Sequence, residues 1–120
     1  MANPNIVNVS SILGKVSGNA LTISAQTIVN NPSSSNKIVK VNSLVISNIN
    51  GTASADVTAY LLKNGSTTLY IAYTVAVPAD ATLVLVSKDT SLYLEENDSI
   101  LALASANSYL HTIVSYEDIS

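Results

Sequence analysis

Apolar and polar residues alternate with a period of two along much of this chain, and no segment holds a helical period. In Ala55–Leu61 the odd positions are apolar, and in Leu69–Val77 the odd positions again form one apolar face. That pattern predicts half-buried strands, with Tyr73 on the buried side. Leu110–Tyr116 alternates less cleanly. Leu83–Val86 and Ile100–Leu103 are continuous apolar runs. Runs of that kind are expected where both faces of a strand are covered, by a second sheet or by a neighbouring subunit.

Turn signals punctuate the runs. Asn64-Gly65 predicts a two-residue hairpin of type I′, because both central residues need positive φ and these two tolerate it. Asn50-Gly51 marks a longer turn. Pro78-Ala79-Asp80 ends the Leu69 strand, since proline has no amide to give to a ladder. Glu95–Asp98 and Ala106–Ser108 separate the last strands. In the N-terminal third, residues 5–16 and 20–29 read as strands joined by a turn at Gly18-Asn19, and residues 30–36 read as a loop. The expectation is an all-β, single-domain antiparallel β-sandwich, jelly-roll-like, with about eight or nine strands, the spacing typical of sandwiches and barrels. Residues 1–16 are either an N-terminal arm or an edge strand.

Composition narrows the function. The 120 residues are 48% hydrophobic but only 5% aromatic, all tyrosine, so the core must be aliphatic. Charged residues are 11%, less than half of the roughly 25% of an average globular protein. The five lysines, at 15, 37, 40, 63 and 88, are scattered, and the net charge is −3. Both observations argue against a nucleic-acid partner, which calls for a basic patch. No stretch has the length of a membrane-spanning helix. With no cysteine, thiolate chemistry, disulfides and zinc–thiolate sites are all absent. Met1–Asn5 does not have the form of a secretory signal, which points to synthesis in a cytoplasm.

Candidate chemistry is sparse. His111 is the single histidine, and alternation turns it to solvent between Leu110 and Thr112. No Gly-x-Ser-x-Gly elbow accompanies it. Glu95, Glu96 and Asp98 offer oxygen ligands in one turn without the spacing of a calcium loop, and a solvated turn closed by Asn97 or Asp98 explains them as well. No catalytic residue, metal ligand or cofactor motif is assigned. Tyr60 and Tyr70 fall out of phase with the apolar faces and share an exposed face beside Asn64-Gly65. Such a pair serves core packing or subunit contact, or else sugar stacking. Low charge and apolar residues on both faces of several strands predict a homo-oligomer, a trimer first among the options, or a subunit of a larger assembly. The interface residues expected are Ile6, Val7 and Val9 in the arm, with Tyr60 and Tyr70.

The succession Val41–Asn48, Ala55–Tyr60, Val77–Leu83, Leu92–Ile100 and Val114–Ile119 resembles small β-sandwich virion proteins of tailed bacteriophages, cyanophage examples in particular. The turn Leu94-Glu95-Glu96-Asn97-Asp98-Ser99-Ile100 departs from that pattern at Asn97, where the family usually has glycine. Asparagine also adopts left-handed φ, so the turn can survive the change. The resemblance implies a non-enzymatic structural protein of the virion. On the head it would be a capsid decoration or cement protein bound to the major capsid protein. At the neck, tail or fibre it would be an accessory protein. A host-glycan-binding module with Tyr60 and Tyr70 as stacking residues is the reading from a different class.

Overall fold

A computed structural model describes residues 10–120. Nine strands account for most of them: β1 Ile12–Ala20, β2 Gln26–Asn31, β3 Ile38–Asn48, β4 Ala55–Lys63, β5 Thr67–Val77, β6 Thr82–Val86, β7 Leu92–Leu94, β8 Asp98–Ala104 and β9 Leu110–Ile119. One turn of 3-10 helix, Lys88–Thr90, precedes β7. The strands form two antiparallel sheets. One runs β1-β9-β3-β6, with β7 beside the other stretch of β3, and the other runs β2-β8-β4-β5. The two sheets pack face to face as an all-β sandwich.

Period-two alternation builds the core. In β9, Leu110, Thr112 and Val114 are buried while His111 and Ile113 are exposed. β3 turns Val41, Leu44 and Ile46 inward, and β4 and β8 add Val57, Ala59, Ile100, Ala102 and Ala104. Large side chains in the β3 sheet thus meet a sheet rich in alanine, the alternation of volume that close packing requires. No tyrosine is fully buried; Tyr109 and Tyr116 pack against the rim of the core.

Two buried asparagines tie the sheets together at opposite ends. Asn31, at the end of β2, donates from Nδ2 to the Lys37 and Leu94 carbonyls, both at 2.9 Å. Asn48, at the end of β3, donates to the Ala53 carbonyl at 3.0 Å and the Val77 carbonyl at 2.9 Å. Each therefore reaches from its own sheet into a strand of the other. A buried amide is tolerated because its groups are paired.

Several sequence expectations hold. Asn64 and Gly65 have φ of 55° and 72°, the positive values a type I′ turn requires, although the loop is three residues long, 64–66, between the paired Lys63 and Thr67. Asn97 adopts the left-handed conformation, φ 70°. β5 stops at Val77, before Pro78.

Others are corrected. Gly18-Asn19 is not a turn; it lies inside β1, paired with Ile113 and Thr112. Pairing with a strand nearly a hundred residues away overrides the local turn signal, and Leu21–Ala25 makes the turn instead. β2 carries on through Asn31, so the loop that follows is shorter than expected.

Tyr73 is not in the core: it is 65% exposed. β5 carries an extra residue relative to β4 between the Val57–Val75 and Ala59–Ala72 pairs, and another before Tyr60–Tyr70. Each such bulge reverses the side-chain parity. Ala72 consequently faces in and Tyr73 out. Thr74 takes φ 48° in the first bulge, its amide donating to Thr58 Oγ1 at 3.1 Å.

The N-terminal options also separate. Ile12–Val16 is an edge strand paired with β9 of the same chain, so those residues are not a free arm. Ser10 and Ser11 already donate to the Ser120 carbonyl, at 2.7 and 3.0 Å. Ile6, Val7 and Val9 lie outside the described residues.

Truncating the centre of the core should be far more damaging than trimming its outside. Leu44→Ala or Ile46→Ala is expected to cost about 2–5 kcal/mol. Val84→Ala, on the outer face of β6, should stay within about 0.5 kcal/mol. Urea denaturation of the three variants checks the contrast.

Candidate functional site

The functional residues of this chain are best sought on its surfaces, and three features stand out there: a charged end, a tyrosine ridge and an apolar outer face. The charged end lies where β2, β4 and β9 finish and β1, β3, β5 and β8 start. Asp98 organises half of it. Its side chain is 2% exposed. Oδ1 accepts from the Asn64 amide at 2.8 Å, and Oδ2 accepts from the Glu95 amide and the Lys63 ammonium, both at 2.9 Å. Asn97 Nδ2 donates to the Asn64 carbonyl at 3.1 Å. Glu96 accepts from the Asn36 amide. The acidic turn is therefore the dock for the β4–β5 hairpin. Lys63 fills the position a cation would take, and no cluster among the described residues has the makings of a metal site. Hydrogen bonds to Glu95 and then Asp98 hold the Lys63 ammonium above its ordinary 10.5 against the opposing effect of desolvation.

Asp118 organises the other half. Lys15 and Lys37 donate to its Oδ2 at 3.0 and 3.2 Å. Burial pushes this carboxyl up, but the hydrogen bonds and charges of Lys15 and Lys37 outweigh it and carry it below its ordinary 3.8. Lys15 is raised above 10.5, chiefly by its hydrogen bond to Asp118.

The tyrosines sit on the outer face of the four-stranded sheet. Tyr60 and Tyr70 share this face, as the sequence suggested, and are direct cross-strand partners, with ring centroids 5.8 Å apart and planes at 67°. Tyr73, brought to this face by the bulges, stands 4.8 Å from Tyr70 at 72°. Edge-to-face contacts of this kind lock the rings against one another. Tyr70 is 56% exposed, so the trio forms a fixed aromatic ridge. Leu101 lies directly across from Tyr60 on the other side, half-buried. Sequence reasoning found Tyr60 and Tyr70 and missed Tyr73, because bulges leave no period of their own.

On the opposite side of the sandwich, the register places Gly18, Ile113, Val45 and Val84 in one row across four strands. Val84 is 56% exposed, Ile113 50% and nearby Val16 70%. The run Leu83–Val86 is thus covered on one face only. Between β1 and β9 this surface sinks into a shallow hollow of about 300 Å³ at Gly18, Ala20, His111 and Ile113. His111 is exposed, as expected, and no serine or carboxylate hydrogen-bonds to it among the described residues. No helix among them is long and apolar enough to cross a membrane.

No protein-family profile and no curated protein matches the chain. Among solved structures it is similar to a Bacillus endospore appendage protein, from a family of disulfide-linked pili. The TM-score is 0.56 at 12% identity, and the match covers 100% of this chain and 96% of that one. At that identity the likeness is one of fold. Two structures of a pentameric capsid protein from metagenomic phage sequences align with 84% of this chain, at 16% identity and TM-score 0.42. The chain spans 59% and 60% of their lengths.

Asp98→Ala should destabilise the fold by about 2–4 kcal/mol, since it strands two backbone amides and an ammonium. Glu95→Gln, which removes only the more exposed partner of Lys63, should cost less than about 1 kcal/mol. Chemical denaturation separates the two.

Acid should act through Asp118. Its folded pKa lies below 3.8, so its contribution is complete above that value and is lost as pH falls through the folded one. Lys15 and Lys63 behave oppositely, contributing in full below 10.5 and losing that contribution as pH rises past their raised values. The urea midpoint of Asp118→Asn should fall less steeply on acidification than that of the native chain.

Proposed function

We propose that this protein is a non-enzymatic structural subunit that acts by assembly, and that its place is on a tailed-phage particle, as a decoration protein on the outside of the head. One observation carries the reading: both outer faces of the sandwich carry exposed apolar or aromatic side chains, while the buried carboxylates Asp98 and Asp118 and the lysines paired with them gather at one end. Interfaces have cores depleted of charge and enriched in tyrosine. The strand order β1-β9-β3-β6 over β2-β8-β4-β5 supports a jelly-roll reading, an architecture common in capsid proteins. Its partners on this reading are further copies of itself and the major capsid protein.

The segment 1–9 is the arm of this reading. Fully extended it reaches about 30 Å, far enough to add a strand to a neighbour's open sheet edge, with Ile6, Val7 and Val9 as its anchors. Deleting residues 2–9 should leave melting behaviour intact, because every strand pair among residues 10–120 is spared. Occupancy on particles should drop, and unchanged occupancy would refute the arm.

A second reading has its own support. The likeness to the endospore appendage protein extends over nearly the whole of both chains, which favours a subunit of a filament. With no cysteine in the sequence, such a filament would have to hold together without disulfides. The glycan-binding reading has less behind it, because rings set at 67° and 72° do not share a plane on which a sugar can lie.

Immunogold labelling of intact particles tests the placement. Dense gold over heads is the expected result. Gold confined to neck or tail would overturn the decoration role, and gold along filaments would establish the second reading in its place.

A further inference from the structure

We propose that copies of this chain associate head to tail through their sheet faces, the tyrosine ridge of one seated in the glycine-floored hollow on the opposite face of the next. The inference rests on the reading of the chain as a self-assembling subunit and assigns that assembly a surface. The ridge is Tyr60, Tyr70 and Tyr73, with Tyr73 standing furthest into solvent at 65% exposure. The hollow lies between β1 and β9. Gly18 and Ala20 leave its floor low, Ile113 walls it, and His111 sets a polar group at its edge. A Cβ added at Gly18 would meet the Thr112 carbonyl at 3.2 Å, so the floor there is as close to the neighbouring strand as backbone allows.

Shape and chemistry match. A tyrosine has an apolar ring for Ile113 and a hydroxyl for the imidazole of His111. Around the hollow, Val16, Val45 and Val84 continue the apolar surface, and around the ridge Leu101 and Leu103 do so. The molecule measures 49 by 26 by 20 Å. Its broad face therefore exceeds the roughly 800 Å² that each partner contributes to a standard interface. A fixed ridge also has little side-chain freedom to lose on docking. Neither face carries a charge at its centre that a second copy would have to desolvate.

Ridge and hollow lie on opposite faces and near opposite borders of the sandwich, β5 and β1. The contact is heterologous: it leaves one free ridge and one free hollow at every stage, and each copy is shifted or turned relative to the last. Such contacts propagate as open stacks unless the rotation closes them.

Sedimentation velocity on the native chain, Tyr73→Glu and Ala20→Glu tests this. Each variant blocks one surface and spares the other, and both side chains are exposed, so the fold should be unaffected; circular dichroism and melting check that. If Ala20→Glu melts early, His111→Glu at the rim serves instead. The native chain should associate, and each variant alone should stay monomeric, with association weakened about 30-fold or more as for loss of a hot-spot residue. Mixed in equal amounts, the two variants should form one-to-one pairs and nothing larger, because each supplies the surface the other lacks. Native-like association of either variant, or failure of the mixture to pair, would overturn the interface while leaving the self-assembling reading in place. A native chain that stays monomeric throughout would overturn both.

Discussion

A strand in a two-layer sandwich can hide only one of its two faces, and that constraint governs this molecule. The inward positions are filled with valine, leucine, isoleucine and alanine. The outward positions would ordinarily be left to charged residues. Here they go to serine, threonine, valine and tyrosine, and the few ionic side chains collect where the strands begin and end. The result is a body with two broad sides poor in charge and one end where buried carboxylates meet lysines. Its fold is satisfied within the chain, but its exterior resembles an interior more than most surfaces do.

The charged end has a structural task of its own. Asp98 and Asp118 are each set among partners drawn from remote parts of the sequence: Asp98 gathers Lys63 and Asn64, and Asp118 gathers Lys15 and Lys37. The two buried asparagines, one at each end, supplement them. Asp118 is held through Oδ2 alone, its buried Oδ1 having no hydrogen-bond partner among the described residues, while Asp98 and the two asparagines complete their bonding within the chain. On the proposed reading, that frees the broad sides to serve association without carrying the burden of holding the fold.

Much of this was legible in the residues. Alternation and the Asn-Gly and proline signals placed nearly every strand and turn from Ala55 onward, because those signals are local. What could not be read came from long-range pairing. Gly18-Asn19 has the composition of a turn, yet β9 holds it extended. Tyr73 sits in phase with buried neighbours, yet two bulges turn it outward. That Tyr60 and Tyr70 share an exposed face was foreseeable, but their direct pairing was not, since it takes Ser66 as a third loop residue to bring Tyr70 rather than Leu69 across from Tyr60. The hollow opposite was not, since it depends on β1 lying beside a strand nearly a hundred residues away.

That same pairing has a consequence for biosynthesis. β9 lies between β1 and β3, so the centre of its sheet leaves the ribosome only after strands β1 to β8 have done so. Until residues 110–119 emerge, β1 has no neighbour and β3 offers an open edge. This sheet must therefore wait, incomplete and rich in apolar β-prone segments, for β9. Topologies built on such distant pairings fold slowly and are exposed to aggregation while they wait. A low yield in a foreign host would then reflect the timing of translation rather than any weakness of the finished sandwich.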